Sequence, residues 1–323
     1  MRQAKVFADT RKMTREEWLE SRRKGIGGSD ASAILGLNPY SSPLAVYLDK
    51  IGKSEEKETT EAMRQGTDLE EYVAQRFVEH MADEGTPKKV RKVNKILQHP
   101  DYPWMLANID RDIVGENAGL ECKTTSPYSK FNFNEGEINP HYYWQSMHYM
   151  AVTGADKWYV AVLVLGKEFV PFMIERDEAA IQTLIDAEQD FWENHVLRKE
   201  PPLPTGSDVD DEAIAALYPQ GGCDEEDWLE ISGMDDALNL RAMKVGQRDA
   251  LDAEIKEIDQ SLKLEMGNFQ RGMSGNWKIN WTNTTSSRVD TKLLKEKYPQ
   301  VAAEVTKTTT GRRFSVSKVK EAQ

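Results

Sequence analysis

Only two cysteines, Cys122 and Cys223, occur in 323 residues. That is too few for a disulfide framework or a cysteine-held zinc, and it fits a reducing, cytoplasmic setting. No apolar run approaches the ~20 residues that a membrane-spanning helix needs. The polar start MRQAKVFADTRK has no signal-peptide apolar region. Positive charge is also short, with 42 Lys and Arg against 54 Asp and Glu and a net charge of −12. DNA binders need basic surface to displace counterions, so this balance at first counts against a nucleic-acid partner. The distribution alters that reading. Residues 175–236 hold 19 acidic and 3 basic residues, a local charge of −16 that leaves +4 for the remainder. Basic clusters stand at Arg22-Arg23-Lys24, at KKVRK over Lys88 to Lys92, and in the tail after Arg288. A DNA-binding face is compatible with an acidic chain.

A composition of 39% hydrophobic and 30% charged residues describes a globular chain, either one large domain or two modest ones. Thr14 with Glu17 makes a capping box that opens a helix over TREEWLESRRK. The bend Gly25-Ile26-Gly27-Gly28-Ser29-Asp30 then leads into a second short helix around Ala31 to Leu35. Its amides, with Ser29 and the nearby Arg22 and Arg23, are suited to hold a phosphate, and an ordinary capped turn is the alternative. Pro43 to Lys50 reads as a third helix. Leu69, Tyr72, Val73, Phe77 and Met81 recur at helical spacing between Thr59 and Ala82, with Glu70 at the edge of that stripe. Pro140 opens a helix that Gly154 ends, and Gln145 and Tyr149 share one face of it. Trp158 to Leu165 and Glu168 to Glu175 read as strands around a Gly166-Lys167 turn, the first apolar enough to be covered on both faces. A helix follows from Asp177 to about Lys199. Beyond Pro201-Pro202-Leu203-Pro204 come an acidic linker, a long charged helix over Leu238 to Phe269 striped by Ala250, Leu251, Ile255, Ile258 and Leu262, a strand in NWKINWT, and a last strand in TKTTTGRRFSVSK.

The stretch Leu106 to Ser126, LANIDRDIVGENAGLECKTTS, holds the strongest chemical signal. Asp110 stands eleven residues before Glu121-Cys122-Lys123, with a glycine-rich turn between. If both flanks are strands of one hairpin, Glu121 and Lys123 share a face and Leu120 and Cys122 take the other. Two carboxylates and an ammonium then converge, a grouping suited to hard divalent cations such as Mg²⁺. A solvated hairpin with surface charges is the other reading of the same residues.

In their order, these residues resemble the YqaJ-type viral recombinases, relatives of the phage lambda exonuclease in the PD-(D/E)XK nuclease superfamily. The resemblance covers roughly residues 14–200. It rests on Trp18 and Arg22 followed by GIGGSD, on GLNPY (Gly36 to Tyr40), on Gly66 with Glu70, on Asp110 with Glu121 and Lys123, and on Gln145 with Tyr149. There are two departures. Glu71 stands where family members often have proline, and Ile109 replaces the proline of the superfamily signature.

The resemblance implies an α/β fold, a mixed sheet flanked by helices as in restriction endonucleases, with a C-terminal helical and β extension. With the Pro201 to Pro204 boundary and the acidic stretch after it, the chain divides into a nuclease core over 1–205, an acidic linker or peripheral segment over 206–236, and a C-terminal helix with short strands over 237–323. The resemblance implies that Asp110, Glu121 and the Cys122 backbone carbonyl hold a metal, that Glu70 serves a second metal or its water shell, and that Lys123 orients the attacking water. Gln145 would hold the scissile-phosphate region or the lysine with Tyr149 in support, and Arg22 and Ser29 would bind a terminal 5′-phosphate. The implied activity is Mg²⁺-dependent 5′-to-3′ exonucleolysis of linear duplex DNA, with two ions and Mn²⁺ as a substitute. It would leave 3′ single strands for a single-strand annealing protein. A homotrimeric ring, no membrane association and a bacterial, phage-encoded origin complete the implied picture. Two rivals remain at this level: a catalytically silent DNA-end-binding scaffold, which the intact Asp110, Glu121 and Lys123 disfavour, and an endonuclease of the same chemistry.

Overall fold

The computed structural model describes residues 4–54, 59–128, 137–219, 229–308 and 311–319. Cys223 lies outside them. The chain forms two compact units, Met1–Pro219 and Gln220–Gln323. No helix among the described residues is long and apolar enough to cross a membrane.

The first unit is built on β6 (Ala118–Thr125) and β7 (Lys157–Val164), which pair in parallel with Glu121 opposite Val160 and Lys123 opposite Val162. A parallel pair needs a crossover, and α5 (Pro140–Thr153) supplies it. Pro140 sits in its first turn, the Asn139 side chain accepts from the His141 amide, and Gly154 at φ 66° closes it in the left-handed conformation that glycine adopts without strain. Antiparallel additions complete a mixed sheet ordered β2–β5–β6–β7–β8, with β2 at Val90–Lys92, β5 at Arg111–Ile113 and β8 at Glu168–Glu175. The basic KKVRK run thus contributes an edge strand, where charged side chains are at home.

The apolar run in β7 is explained by its two covered faces. Trp158, Val160, Val162 and Val164 enter one core with Met147 and Met150 of α5. Tyr159 and Ala161 enter another with Val73, Ala74 and Phe77 of α4 (Glu61–Asp83). Helix α4 therefore covers one face and α5 the other. Against α5 lie α2 (Gly28–Ile34) and α6 (Glu178–Asp190). Helix α1 (Arg15–Arg23) starts on the Thr14–Glu17 capping box, and α3 occupies Pro43–Lys50 as the sequence indicates.

Three expectations need correction. Leu106 to Ser126 is not one hairpin: β4 (Leu106–Asn108) belongs to a separate three-stranded sheet, β1–β3–β4, with β1 at Lys5–Asp9 and β3 at Lys95–Gln98. The hairpin is β5 with β6, and Asp110 sits at the bend where the chain changes sheets. Second, the acidic stretch after residue 205 includes α7 (Asp208–Leu217), which joins the first unit by packing on α3 and burying Ala213. Third, the tail forms no final strand over residues 311–319; residues 309 and 310 of that segment lie outside the described residues.

The second unit holds α8 (Asp235–Met266), a hairpin of β9 (Arg271–Ser274) and β10 (Trp277–Asn280), and the short helices α9 (Thr291–Lys297) and α10 (Pro299–Val305).

One close approach fixes the sheet. A Cβ at Gly119 on β6 would lie 2.2 Å from the ring of Trp158, which is fully buried on β7. Gly119→Ala is therefore expected to destabilise the chain by about 2–3 kcal/mol, the cost of an overpacked core. Urea unfolding measures it, and a loss under about 0.5 kcal/mol would show that Trp158 moves freely aside.

Candidate active site

The alternation of β6 sorts its side chains. Leu120 lies in the core under α4 and Cys122 packs against it. Glu121 and Lys123 take the opposite face, toward α5. Glu121 is buried, and its Oε1 accepts from Lys123 Nζ at 2.7 Å and from Gln145 Nε2 at 2.8 Å. Gln145 Nε2 also donates to the Tyr149 hydroxyl at 2.9 Å. The four-residue spacing on α5 thus produces one chain of hydrogen bonds from Tyr149 through Gln145 to Glu121 and Lys123.

Asp110 joins this group from the bend between the sheets. Its Oδ2 accepts from the Cys122 peptide N–H at 2.8 Å. Burial and then the neighbouring Glu121 carboxylate push its pKa up to about 8, against the N–H bond that favours the ionised form. Lys123 is driven the other way: burial would lower its pKa, but Glu121 and Asp110 raise it above the usual lysine value. Lys123 is therefore an ammonium that donates, and it lies 5.4 Å from the Tyr142 ring centre. Glu121 Oε2 and Gln145 Oε1 are buried without a hydrogen-bond partner. An unpartnered carboxylate oxygen beside a second carboxylate resisting ionisation is a donor set that fits a hard divalent cation, which would supply the missing positive charge.

Glu70 does not join that set. Its Oε1 accepts from Arg111 Nη1 at 2.5 Å and lies 3.4 Å from Lys92 Nζ. Among the described residues no three His, Cys, Asp or Glu side chains form a ready metal cage. Arg111 is the reason. Buried between the two acidic residues of the IDRD sequence, it binds Glu70, the Asp110 carbonyl at 2.8 Å, and Glu71 at 2.9 Å. Glu71, the departure from proline, leaves α4 unbroken and helps hold this guanidinium. Cys122 meets the site through its peptide N–H, and burial pushes its thiol well above the ordinary range.

Arg22 and Ser29 do meet. Arg22 Nη2 donates to Ser29 Oγ at 2.8 Å, with the guanidinium 4.9 Å over the Trp18 ring and 3.8 Å from Asp30. Sequence reasoning missed what anchors this corner. Lys50, with no exposed side-chain surface, contacts Asp30 at 2.7 Å and the Arg22 carbonyl at 3.3 Å. Twenty residues separate that pair, with no periodic signal to link them. The GIGGSD bend also presses on the other site: a Cβ at Gly28 would lie 2.5 Å from Tyr149. Tyr149 thus touches both the bend and the Gln145–Glu121 chain.

The fold and site together define an α/β protein with an Asp–Glu–Lys centre on a mixed sheet. The YqaJ-like viral recombinase domain matches residues 17–156. The chain is 39% identical over 321 residues to "uncharacterized protein YqaJ" of Bacillus subtilis (strain 168), covering 98% of this chain and 99% of that protein. It belongs to the YqaJ-like viral recombinase family. Among solved structures it is similar to an alkaline exonuclease (LHK-Exo) from Laribacter hongkongensis, at 18% identity and TM-score 0.47, over 63% of this chain and all of that one. A phage-related exonuclease from Haemophilus somnus 129PT matches at 13% identity and TM-score 0.40, over 54% of this chain and 96% of that one.

The Lys50–Asp30 contact yields a prediction. Burial raises the Asp30 pKa, but the charges of Lys50 and Arg22 and the bonds from Lys50 and the Gly27 amide outweigh it and bring it to about 2, below its ordinary 3.8. The stabilisation is thus present above about pH 4 and lost as the pH falls toward 2. Lys50→Met, which leaves Asp30 without its main partner, is expected to cost about 3 kcal/mol in urea unfolding at pH 7. That cost should shrink below about pH 4. A pH-independent cost would assign it to packing alone.

Proposed function

We propose that the chain is a Mg²⁺-dependent exodeoxyribonuclease. It degrades one strand of linear duplex DNA from the 5′ end and leaves 3′ single strands for a single-strand annealing protein. The observation that carries this reading is the buried, unpartnered Glu121 Oε2 beside Asp110, with the Lys123 ammonium held at 2.7 Å on the other oxygen. Asp110 and Glu121 are the residues that would hold Mg²⁺, or Mn²⁺ in its place, with the Cys122 carbonyl alongside. Glu70, engaged by Arg111 and Lys92, would serve the water shell or a second ion only once that contact is released. When bound, the divalent ions supply positive charge to the phosphate and its leaving 3′-oxygen.

The remaining work falls to the chain itself. Lys123, charged and fixed by Glu121, donates to and orients the attacking water; its raised pKa suits a positioning donor rather than a base. Gln145 keeps Glu121 aimed, and Tyr149 keeps Gln145 aimed. Arg22 and Ser29 form a cationic and hydroxyl pair on the bend that touches Tyr149, a place for a terminal phosphate. A protein with such a phosphate site measures from an end, which favours exonuclease over endonuclease. A ring of three chains around the duplex would let an acidic protein present basic surface inward.

Linear duplex labelled at either 5′ or 3′ ends, compared with a closed circle with and without Mg²⁺, tests the reading directly. Metal-dependent release of 5′ label first, with the circle intact, is expected; cutting of the circle rejects end-directed action. Lys123→Ala should lower turnover at least ~100-fold, the scale seen when a fixed electrostatic donor is removed. Losing the ammonium beside buried Glu121 is expected to cost stability as well. Turnover is therefore compared at a temperature where circular dichroism shows the variant folded, and full activity in this variant would sink the site assignment.

Arg22→Ala should chiefly erase the preference for 5′-phosphorylated over 5′-hydroxyl ends, seen as about a tenfold rise in KM on the phosphorylated substrate. An unchanged ratio between the two ends would remove Arg22 from that role.

A further inference from the structure

Helix α8 has 32 residues, and from Leu251 to Glu265 every one of them is exposed. Helices in proteins draw most of their stability from packing an apolar face, not from propensity. Four turns without a packed face are therefore energetically incomplete. The missing face can be located. Leu251, Ile255, Ile258 and Leu262 follow the 4-3-4 spacing of a coiled-coil seam and are exposed by 58, 56, 60 and 37%. Toward the N-terminus the helix is differently served, since Leu238, Ala242 and Val245 line a cavity together with Val316 and Lys318 of the tail. At the other end Met266 is buried, close to Gly272 of the hairpin. The open seam lies between the residues that face the tail, where Leu238 is still 44% exposed, and the buried Met266.

The charges beside the seam decide what fits it. The flanking positions are Asp252, Glu254, Asp259 and Ser261, and no cation is among them. Lys256 and Lys263 fall on the far side of the helix. A second copy of α8 laid parallel would set Glu254 against Asp259 of its partner, and an antiparallel copy would set like residues against each other. Either arrangement faces carboxylate with carboxylate, which a helix pair avoids. The complementary surface is an amphipathic helix with Leu or Ile at its seam and Lys or Arg on both flanks.

We infer that the Leu251–Leu262 stripe of α8 is a docking seam for one basic amphipathic helix of a different protein. The seam spans four apolar positions between Arg248 and Glu265, so it fits a short partner segment and a reversible contact. This inference stands on the second unit alone and is independent of the activity proposed for the Asp110–Glu121–Lys123 site.

Titration of the full chain with two synthetic four-heptad peptides tests it, one with Ile and Leu at the seam and Lys on both flanks, the other identical but with Glu on the flanks. Fluorescence anisotropy should show the Lys peptide binding at least about 30-fold more tightly, with a preference that falls as salt rises. Ile255→Gln with Ile258→Gln leaves the charge unchanged and should weaken binding of the Lys peptide at least about 30-fold. Asp252→Lys, Glu254→Lys and Asp259→Lys together should reverse the preference. Equal affinity for both peptides, or binding that survives the Gln substitutions, overturns the proposal. Self-association in sedimentation that the Gln substitutions abolish overturns it in favour of a second copy. Slow thiol labelling of an Ile258→Cys chain, located by mass spectrometry, overturns it in favour of cover by the chain itself.

Discussion

Two carboxylates brought together out of water repel each other, and much of the first unit is arranged around that cost. Asp110 comes from the bend where the chain passes between two sheets, and Glu121 from the middle of β6. They are held near each other by the Cys122 N–H, the Lys123 ammonium and the Gln145 amide. Each donor removes part of the penalty, and none removes all of it. An unpartnered Glu121 oxygen and an Asp110 carboxyl raised to about 8 remain as the residue of the conflict. A stable core would be better served by apolar residues at these positions. On the proposed reading, their presence here would be preorganisation for a cation that the chain alone does not replace.

Helix α5 carries this preorganisation to the rest of the fold. On one side it offers Gln145 and Tyr149 to the carboxylate site. On another it buries His148, whose ring contacts Glu188 of α6 at 2.8 Å and the Leu106 carbonyl at 2.9 Å, with neither side chain exposed. That contact ties α5 to β4, the strand from which the chain turns into Asp110. The helix that aims Glu121 is thus fastened to the segment that presents Asp110, so the two carboxylates are positioned by one connected set of contacts.

Much of this was legible in the sequence where the cause was periodic or local. The capping box of α1, the stripe of α4, the Pro140 and Gly154 limits of α5 and the double-faced run of β7 each follow from neighbours within a few residues. The pairing of Glu121 with Lys123 followed from strand alternation alone. What escaped was set by contacts between distant residues. Nothing in the Leu106 to Ser126 pattern says that the chain leaves one sheet and enters another at Asp110, because alternation continues across the break. Arg111 carries no sequence signal of its role, and only the closeness of α4 makes it the partner that takes up Glu70. Lys50 and Asp30 are likewise paired by packing of α3 on α2. An acidic composition suggested a linker where α7 forms, since acidic residues suit a first helical turn and its buried residues are only Asp210 and the small Ala213.

The charge pattern near the site bears on how an acidic chain would meet DNA. Lys123 is spent on Glu121, Arg111 on Glu70 and Glu71, Lys92 on Glu70, and Lys50 on Asp30. Cations and carboxylates here come in nearly matched pairs, so little uncompensated positive charge is left to draw a phosphate backbone. On the proposed reading, divalent ions at Asp110 and Glu121 would change that balance and make the site net attractive to phosphate. Ionisation of Asp110, opposed by burial and by Glu121, would become favourable in the same event, so metal uptake would release a proton near neutral pH. Substrate attraction, metal binding and the protonation of Asp110 would then be linked, each favouring the next. Arg22 differs from the others in keeping a neutral partner, Ser29, at hydrogen-bond distance, with Asp30 farther away and already engaged by Lys50. Among the described residues near the site its charge is little committed, and on the proposed reading that is what would let it receive a terminal phosphate.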